Sequence, residues 1–355
     1  MPTLNWIGKE KIVNHDKDVP FRLLRKNKKY SLGNSENLIL EGDNLEALKA
    51  LMPFYYGKIK CIYIDPPYNT GNEKWVYNDR VNSPKIKEWL GKVVGPEGDD
   101  LTRHDKWLCM MYPRLKLLHD LLSDDGVIFV SIDDNEHCYL KQILDDVFGS
   151  ENFIANIIWQ KKYSPQNDAK YFSDMHDFIV VYAKKRNTNG DFSGWVRNLI
   201  VRSEEQDARY KNPDNDPRGP WKSSDLSVKT YSKNYDYSVK TPSGRIVNPP
   251  QGRCWRTSRE NLGVLIKEKR IWFGPKGDGV PALKRFLSEV QQGLVPSTIW
   301  LRDEVGDNQE ARQALKEIFQ DAEFPFETPK PVRLIKKILQ IATSRNDIIL
   351  DSFAG

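Results

Sequence analysis

Four consecutive residues, Asp65-Pro66-Pro67-Tyr68, combine an anion, a rigid turn and an aromatic ring directly after an apolar run. The two prolines fix φ and remove two backbone donors, so no helix can begin there. The Asp65 carboxylate and the Pro66 carbonyl can both accept from an NH₂ group, and the Tyr68 ring offers a stacking surface. These residues are suited to hold a planar base that carries an exocyclic amine. A proline-rich turn that merely ends a core strand is the alternative interpretation.

The elements around this motif predict that it lies at the ligand-binding edge of an α/β sheet. Residues 61–64 are apolar and lack helical spacing, which predicts a buried strand that ends at Asp65. Residues 37–40 predict a neighbouring strand, and Asp43 or Asn44 can cap the helix that follows, which gives a βαβ unit. Asp43 would then share the carboxyl edge with Asp65, where ligands bind in doubly wound sheets. Its role there is helix capping, accepting a hydrogen bond from a cofactor's adenine, or both.

Hydrophobic spacing over the rest of the chain predicts further α/β elements on both sides of a less regular region. Residues 69–101 are rich in glycine and aromatic residues and predict a long loop beside the site. The other expected helices are one kinked at or beginning near Pro113, one capped by Asn135 and ended by Gly149, and three more at 283–292, at 309–319 and from Pro331 onward. Strands are expected at 127–132, 153–159, 178–183, 271–273 and 298–301, and a buried strand is expected at 348–350.

Composition favours a folded, water-soluble protein without a membrane span. The chain has 355 residues, of which 39% are hydrophobic and 29% charged. No apolar run approaches the roughly 18 residues of a membrane span, and the N-terminus lacks the apolar core of a signal peptide. The four cysteines form no CxxC pair, which favours reduced thiols in a cytosolic protein over zinc or disulfides. Three His-Asp pairs also lack a metal-ligand framework, so we expect no metal site.

A basic and aromatic region favours a polyanionic partner. The chain carries a net charge of +5, and residues 184–260 hold 16 Lys and Arg against 9 Asp and Glu. Aromatic residues interleave with these cations, as in surfaces that contact phosphates and stack bases. A solvated basic face over buried aromatic residues is the alternative. The candidate contacts to such a polyanion, in this region and just before it, are Lys161, Lys162, Tyr163, Arg218, Trp221, Lys222 and Arg253.

Two motifs at opposite ends of the chain resemble those of a known enzyme family. The DPPY of residues 65–68 and the DSFAG of residues 351–355 are similar to the signatures of amino-group DNA methyltransferases that use S-adenosylmethionine. DPPY precedes the glycine-rich motif here, which resembles the circularly permuted β class. The phrases DPPYNTG, DPRGPW at 216–221, IWFGPKGDGVP at 271–281 and TPKP at 328–331 are also similar to the modification subunits of type III restriction systems.

The resemblance implies a fold and a division of the chain. The fold would be a Rossmann-like class I methyltransferase α/β sheet, circularly permuted, with an inserted α+β target-recognition domain. Residues 1–34 would be an N-terminal arm, and residues 35–185 the first part of the catalytic domain. Residues 186–325 would recognise the target sequence, and residues 326–355 would begin the cofactor-binding part.

The resemblance also implies an activity and a role for each motif residue. A methyl group would move from S-adenosylmethionine to N6 of a flipped adenine; methylation of cytosine N4 is the nearest alternative. The implied partners are double-stranded DNA, a second copy of the chain and a helicase-nuclease restriction subunit, in the cytoplasm and on the nucleoid of a bacterium. The implied catalytic residues are Asp65, Pro66, Pro67 and Tyr68, and the implied cofactor contacts are Asp43, Asp65, Lys330, Pro331, Asp351, Phe353 and Gly355.

The end of the chain and the acidic residues of a possible nuclease site leave two other functions open. The chain ends at Gly355, before the second glycine of the family motif, so we expect part of a cofactor site that needs its continuation for activity. A non-catalytic, sequence-reading fragment is therefore a second reading. A metal-dependent nuclease using Asp65, Glu73 and Lys74, or Asp133 with Asp134, is a third reading, but it would leave the two prolines and the tyrosine without a role.

Overall fold

The computed structural model describes residues 3–33, 35–70, 84–94, 102–188, 193–319 and 328–354. The chain divides into two compact units. Unit 1 comprises Met1–Asn198 and Pro296–Gly355, and unit 2 comprises Leu199–Val295. Gly355, Glu73, Lys74 and most of the predicted loop at 69–101 lie outside the described residues, although a helix, Pro84–Val93, forms within that loop region.

Unit 1 is built on a six-stranded sheet. Its strands are β1 (Ile59–Ile64), β2 (Leu122–Ile132), β3 (Phe153–Gln160), β4 (His176–Ala183), β12 (Ile299–Trp300) and β13 (Ile349–Leu350), in the order β12-β3-β4-β2-β1-β13. β4 is antiparallel to both of its neighbours, and the other pairs are parallel. The carboxyl ends of β1, β2, β3, β12 and β13 therefore meet at one edge. The predicted mixed α/β fold with a mostly parallel sheet is confirmed.

Helices cover the apolar surface of this sheet. The helices of unit 1 are α1 (Lys9–Ile12), α2 (His15–Asp18), α3 (Asn44–Tyr55), α4 (Pro84–Val93), α5 (Arg103–Leu121), α6 (His137–Phe148), α9 (Arg302–Val305), α10 (Asn308–Ile318) and α11 (Val332–Ala342). The main core forms where α3, α5 and α6 pack with alternate residues of β1 and β2, including Ile62, Ile64 and Val130. α11 packs against β1 and buries Leu334 and Ile338. None of the described helices combines the length and apolarity that crossing a bilayer requires.

Unit 2 contains short strands and two helices around a smaller core. Its elements are α7 (Glu204–Asp207), α8 (Arg259–Lys267), β5 (Trp221–Asp225), β6 (Ser227–Val228), β7 (Val239–Lys240), β8 (Ile246–Val247), β9 (Cys254–Trp255), β10 (Ile271–Trp272) and β11 (Ala282–Phe286). β10, β11 and β5 form an antiparallel sheet. The core gathers Trp255, Leu262 and Phe273. Strand β12 belongs to unit 1, so unit 2 ends before the predicted domain boundary at residue 325.

Three predicted elements were wrong. Residues 37–40 form no strand, because β13 takes the place beside β1 and Ile39 is left 99% exposed. The predicted helix at 283–292 begins instead as strand β11. β13 is not buried, since it pairs only with β1 at the sheet edge and Ile349 is 46% exposed.

Two helix starts also differ from the prediction. α5 begins at Arg103, where Thr102 forms a capping box with Asp105, and runs through Pro113. The N-cap position of α6 is held by Glu136 rather than Asn135, and the Glu136 side chain makes no capping hydrogen bond. Gly149 ends that helix with φ 84°, a conformation that favours glycine.

Candidate active site

The DPPY loop follows β1 and is fixed by a hydrogen bond from α5. The Nε1 of Trp107, a fully buried residue of α5, donates a 2.7 Å hydrogen bond to the carbonyl of Pro67. Tyr63 in β1 shares a buried 2.9 Å hydrogen bond with Ser131 of β2. The two prolines restrict the backbone, and the Trp107 indole binds the Pro67 carbonyl. The loop therefore has a defined position relative to β1.

Four residues hold the far end of the loop, and we call them the loop clamp: Asn69, Arg103, His104 and Glu136. Asn69 has φ 55°, and its side-chain amide donates to the Arg103 carbonyl at 3.1 Å and to the Glu136 carboxylate. Arg103 returns a 3.1 Å hydrogen bond to the Asn69 carbonyl, and His104 Nδ1 lies 2.7 Å from Glu136 Oε1. Burial raises the pKa of Glu136, which the Asn69 and His104 contacts partly counteract. The clamp therefore links the loop to the start of both α5 and α6.

Asp65 and Tyr68 meet at the carboxyl edge and both contact Lys330. Lys330 Nζ lies 2.5 Å from Asp65 Oδ2 and 5.1 Å from the centroid of the Tyr68 ring. Asp65 Oδ1 is buried and has no hydrogen-bond partner among the described residues. Burial and the Asp65 carboxylate raise the pKa of the Tyr68 phenol. The structure therefore brings the predicted catalytic residues together, with Lys330 directly on Asp65.

Asp351 and Phe353 follow β13, the strand next to β1. The Asp351 Oδ1 accepts a 2.9 Å hydrogen bond from the Phe353 backbone, and Asn44 donates to the Ser352 carbonyl at 3.2 Å. Burial against neighbouring groups, together with the Asp65 carboxylate, raises the pKa of Asp351 to about 6, although part of its surface remains open to solvent. The two acidic loops therefore lie close enough for their charges to interact.

Asp43 and Pro331 are the helix-terminal members of the predicted cofactor set. Asp43 Oδ1 caps α3 by accepting from the backbones of Leu45 and Glu46 at 2.9 and 3.3 Å. Its Oδ2 lies 3.8 Å from Arg114. Pro331 is buried and immediately precedes the first residue of α11. The capping role of Asp43 is thus confirmed, and one of its two oxygens is left for another contact.

The predicted DNA contacts at the end of β3 differ in exposure. Lys161 is buried, and its ammonium lies 2.6 Å from Asp177 and 2.7 Å from Asp174. Because its ammonium is buried and paired, Lys161 is a structural residue here and not the exposed phosphate contact that the sequence predicted. Lys162 is half-buried and Tyr163 is exposed, with the Arg302 guanidinium 4.0 Å from the Tyr163 ring centroid.

The candidates within unit 2 also divide into buried and exposed residues. Arg218 binds the Asp216 carboxylate through two 2.8 Å hydrogen bonds, and buried Trp221 donates to Asp214. Lys222 is exposed, with its ammonium 5.1 Å from the Tyr210 ring centroid. Arg253 lies 3.1 Å from Asp225. Lys222 and Arg253 are thus the more accessible cations of this set.

Sequence reasoning missed Trp107 and the loop clamp. Asn69 offered a signal, because asparagine is among the few residues that adopt positive φ readily after a tight turn. Trp107 and Glu136 offered none, since their spacing also fits an ordinary helix face and an ordinary helix start.

Comparison with known proteins agrees with this geometry. The model of the N6_N4_Mtase family of DNA methylases matches residues 59–355. The StyLTI Mod subunit of a type III restriction-modification enzyme from Salmonella typhimurium is 34% identical over 95% of this chain and 50% of its own length. The EcoP15I Mod subunit from Escherichia coli is 31% identical over 99% of this chain and 60% of its own length.

The chain therefore spans only part of these relatives. A solved structure, the PvuII DNA methyltransferase (cytosine-N4-specific), covers 86% of this chain and 71% of its own at 11% identity and a TM-score of 0.40. The match of the family model over most of the chain decides the assignment: the chain belongs to the N6_N4_Mtase family of DNA methylases.

Proposed function

We propose that this chain is the base-holding and donor-facing part of a site-specific DNA methyltransferase that acts on N6 of a flipped adenine. The observation that carries the proposal is the meeting of Asp65, Tyr68 and Asp351 at the carboxyl ends of two adjacent parallel strands. A carboxylate and an aromatic ring can hold an amino base there, and the second acidic loop can face a methyl donor. Membership of the family and the Mod-subunit relatives support this assignment.

The residues at this edge fit S-adenosylmethionine as the methyl donor. Asp65 Oδ1 and Ser352 Oγ are buried without hydrogen-bond partners among the described residues, so the edge has unused polar capacity. Asp351, Phe353, Asp43 and Pro331 would hold the donor, with Gly355, and Lys330 lies between the two acidic loops. When bound, S-adenosylmethionine supplies an electrophilic methyl group on a sulfonium.

The chain's own residues would act by orientation and charge. An exocyclic amine of adenine is a poor nucleophile because its lone pair is delocalised into the ring. The Asp65 carboxylate and the Pro66 carbonyl would accept its two N–H bonds, which favours a pyramidal nitrogen with a directed lone pair. Asp65 can also accept the proton that the amine must lose. Stacking on Tyr68 would offset part of the few kcal/mol that removing the base from the duplex costs.

Adenine is proposed over cytosine on the DPPY motif alone. Cytosine N4 presents a similar amine to the same acceptors, so the geometry accommodates both bases. Sequence recognition would come from base contacts made by unit 2. Lys222 and Arg253 in unit 2, and Lys162 and Tyr163 in unit 1, would contact the DNA backbone, which positions the DNA without reading its sequence. Since the StyLTI and EcoP15I relatives are subunits of restriction-modification enzymes, we also propose a second copy of the chain and a restriction subunit as partners.

Methylation in the host tests the proposal. The gene that encodes this chain is expressed in a methylation-free host whose DNA is then sequenced on a modification-sensitive platform. We expect N6-methyladenine in one short sequence, its loss in Asp65→Ala, and its retention in Asp134→Ala, which removes an exposed carboxylate beside the end of β2. Methylcytosine would overturn the base assignment. Full methylation by Asp65→Ala would refute the role of Asp65.

A further inference from the structure

Lys330 already makes the two contacts that the proposed function assigns to the target base. Its ammonium donates to Asp65 Oδ2 at 2.5 Å and lies over the Tyr68 ring at 5.1 Å. The Lys330 side chain is only 10% exposed, so the ion pair is held largely away from solvent. An amino base stacked on Tyr68 and bonded to Asp65 would need the same space and the same acceptor.

The Lys330 charge also acts on two further carboxylates, those of Asp177 and Asp351. Burial raises the pKa of Asp177 and of Asp351, and the Lys330 charge counteracts that rise in both. The backbone at Lys330 is fixed, because Pro331 is buried where α11 begins, whereas the four-carbon side chain can rotate. Because Asp177 is already paired with Lys161, Asp351 is the acidic group toward which Lys330 can turn when it leaves Asp65.

We propose that Lys330 is a placeholder for the amine of the target base. In the absence of DNA its ammonium is bound to Asp65, and the exocyclic amine of a flipped base takes its place while Lys330 moves toward Asp351. The inference rests on the proposed function, since it assumes that Asp65 and Tyr68 receive the base.

The exchange would serve both stability and specificity. A partly buried carboxylate without a partner is costly, so Lys330 stabilises the empty loop. Only a base that donates N–H groups can replace the ammonium, because a keto oxygen would set an acceptor against the Asp65 carboxylate. Lys330 would therefore help the site to admit adenine or cytosine and to reject thymine and guanine, whose corresponding groups are carbonyls.

Base flipping without cofactor tests the exchange. The full-length protein binds a duplex with its target site in which 2-aminopurine replaces the neighbour of the target adenine, so that fluorescence rises when the adenine leaves the stack. We expect Lys330→Met to increase the flipped-to-stacked ratio about fivefold, the effect of removing one competing ion pair. Lys330→Gln, which can still donate to Asp65, should give a smaller increase. A matched duplex with purine in place of the target adenine lacks the amine and should show little change.

Lys336→Met is the matched control, since it removes an exposed lysine of α11, the helix that begins just after Lys330. It should leave the ratio as in the unsubstituted protein. If Lys330→Met is too unstable to measure, which its thermal unfolding shows, Lys330→Gln carries the test. An unchanged or reduced ratio in a folded Lys330 variant would overturn the placeholder role and leave the methyltransferase proposal intact. Absence of methylated sites in the host would instead remove the proposed function, and this inference with it.

Discussion

We expect the hydrogen bond from Trp107 to the Pro67 carbonyl to fix the position of the DPPY loop, and one substitution can test this. Trp107→Phe removes the Nε1 donor and keeps an aromatic ring in a position that is fully buried. A hydrogen bond of this kind contributes about 0.5–1.5 kcal/mol, and leaving the partner unpaired costs about 1–3 kcal/mol. We expect the free energy of unfolding to fall by about 1–2 kcal/mol, measured by urea unfolding.

The same substitution should affect methyl transfer more than its stability cost explains. Misplacing a reacting group by about 1 Å can cost about 100-fold in rate, because orientation is lost. In the full-length protein at saturating DNA and cofactor, we expect kcat to fall about 10- to 100-fold.

Trp300→Phe is the matched control. Trp300 is also fully buried, and its Nε1 donates to the Ser297 carbonyl at 2.8 Å, but it lies in β12 at the other side of the sheet from β1. It should cost similar stability and leave kcat within about twofold. Equal losses of kcat in the two variants, or an unchanged kcat in Trp107→Phe despite its lower stability, would refute the argument that this bond positions the loop.

Two further substitutions probe charged groups. Lys284 is 4% exposed and pairs with Asp214 and, at 2.9 Å, with Asp216, so Lys284→Met should lower the free energy of unfolding by about 3 kcal/mol, whereas exposed Lys276→Met should not. Arg218 and Lys284 hold the pKa of Asp216 well below its usual value, so the stability that they give is present at neutral pH and lost in acid. As the pH is lowered below about 4, the urea midpoint of Lys284→Met should therefore fall less than that of the unsubstituted chain. Asp351 has the opposite effect on stability, because its pKa is raised to about 6 and its ionisation therefore destabilises the fold as the pH rises from about 4 to 6. In urea unfolding, Asp351→Asn should gain stability relative to the unsubstituted chain between pH 4.5 and 6.5. A constant difference between the two proteins over this range would contradict the raised pKa.

The sequence predicted the parts of the fold whose patterns have one interpretation. The apolar run of β1 and the proline pair placed Asp65 at a strand end, and the broad apolar face of α11 predicted that helix. The DPPY and DSFAG motifs predicted the family from opposite ends of the chain. The two motifs lie together because β1 and β13 pair, which no local pattern specifies.

Strand β11 shows why local patterns failed elsewhere. Its inward positions hold Lys284 and Phe286, and the lysine is buried because Asp214 and Asp216 neutralise it. A charged residue on the inner face hides the alternation that marks a strand, so the segment resembled a helix. The prediction for residues 37–40 failed for a different reason: their apolar pattern fits a strand, but the position beside β1 is taken by β13, which comes from the far end of the sequence.

The loop clamp was hidden because its members interact only in three dimensions. Asn69, Arg103 and Glu136 come from a turn and the starts of two helices, and nothing in their spacing joins them. Their roles depend on the positive φ of Asn69 and on the burial of Glu136.

The pairing of β1 with β13 also has a consequence for synthesis on the ribosome. Cys61 pairs with Ile349, about 290 residues later. At a translation rate of about 5–20 residues per second, the Asp65 loop would be made about 15 to 60 s before the Asp351 loop that lies beside it. Contacts so distant in sequence also form slowly, because a long loop must close first. A nascent chain would therefore pass through a period in which the two acidic loops have not yet met, and the candidate site can form only after the Asp351 loop has been made.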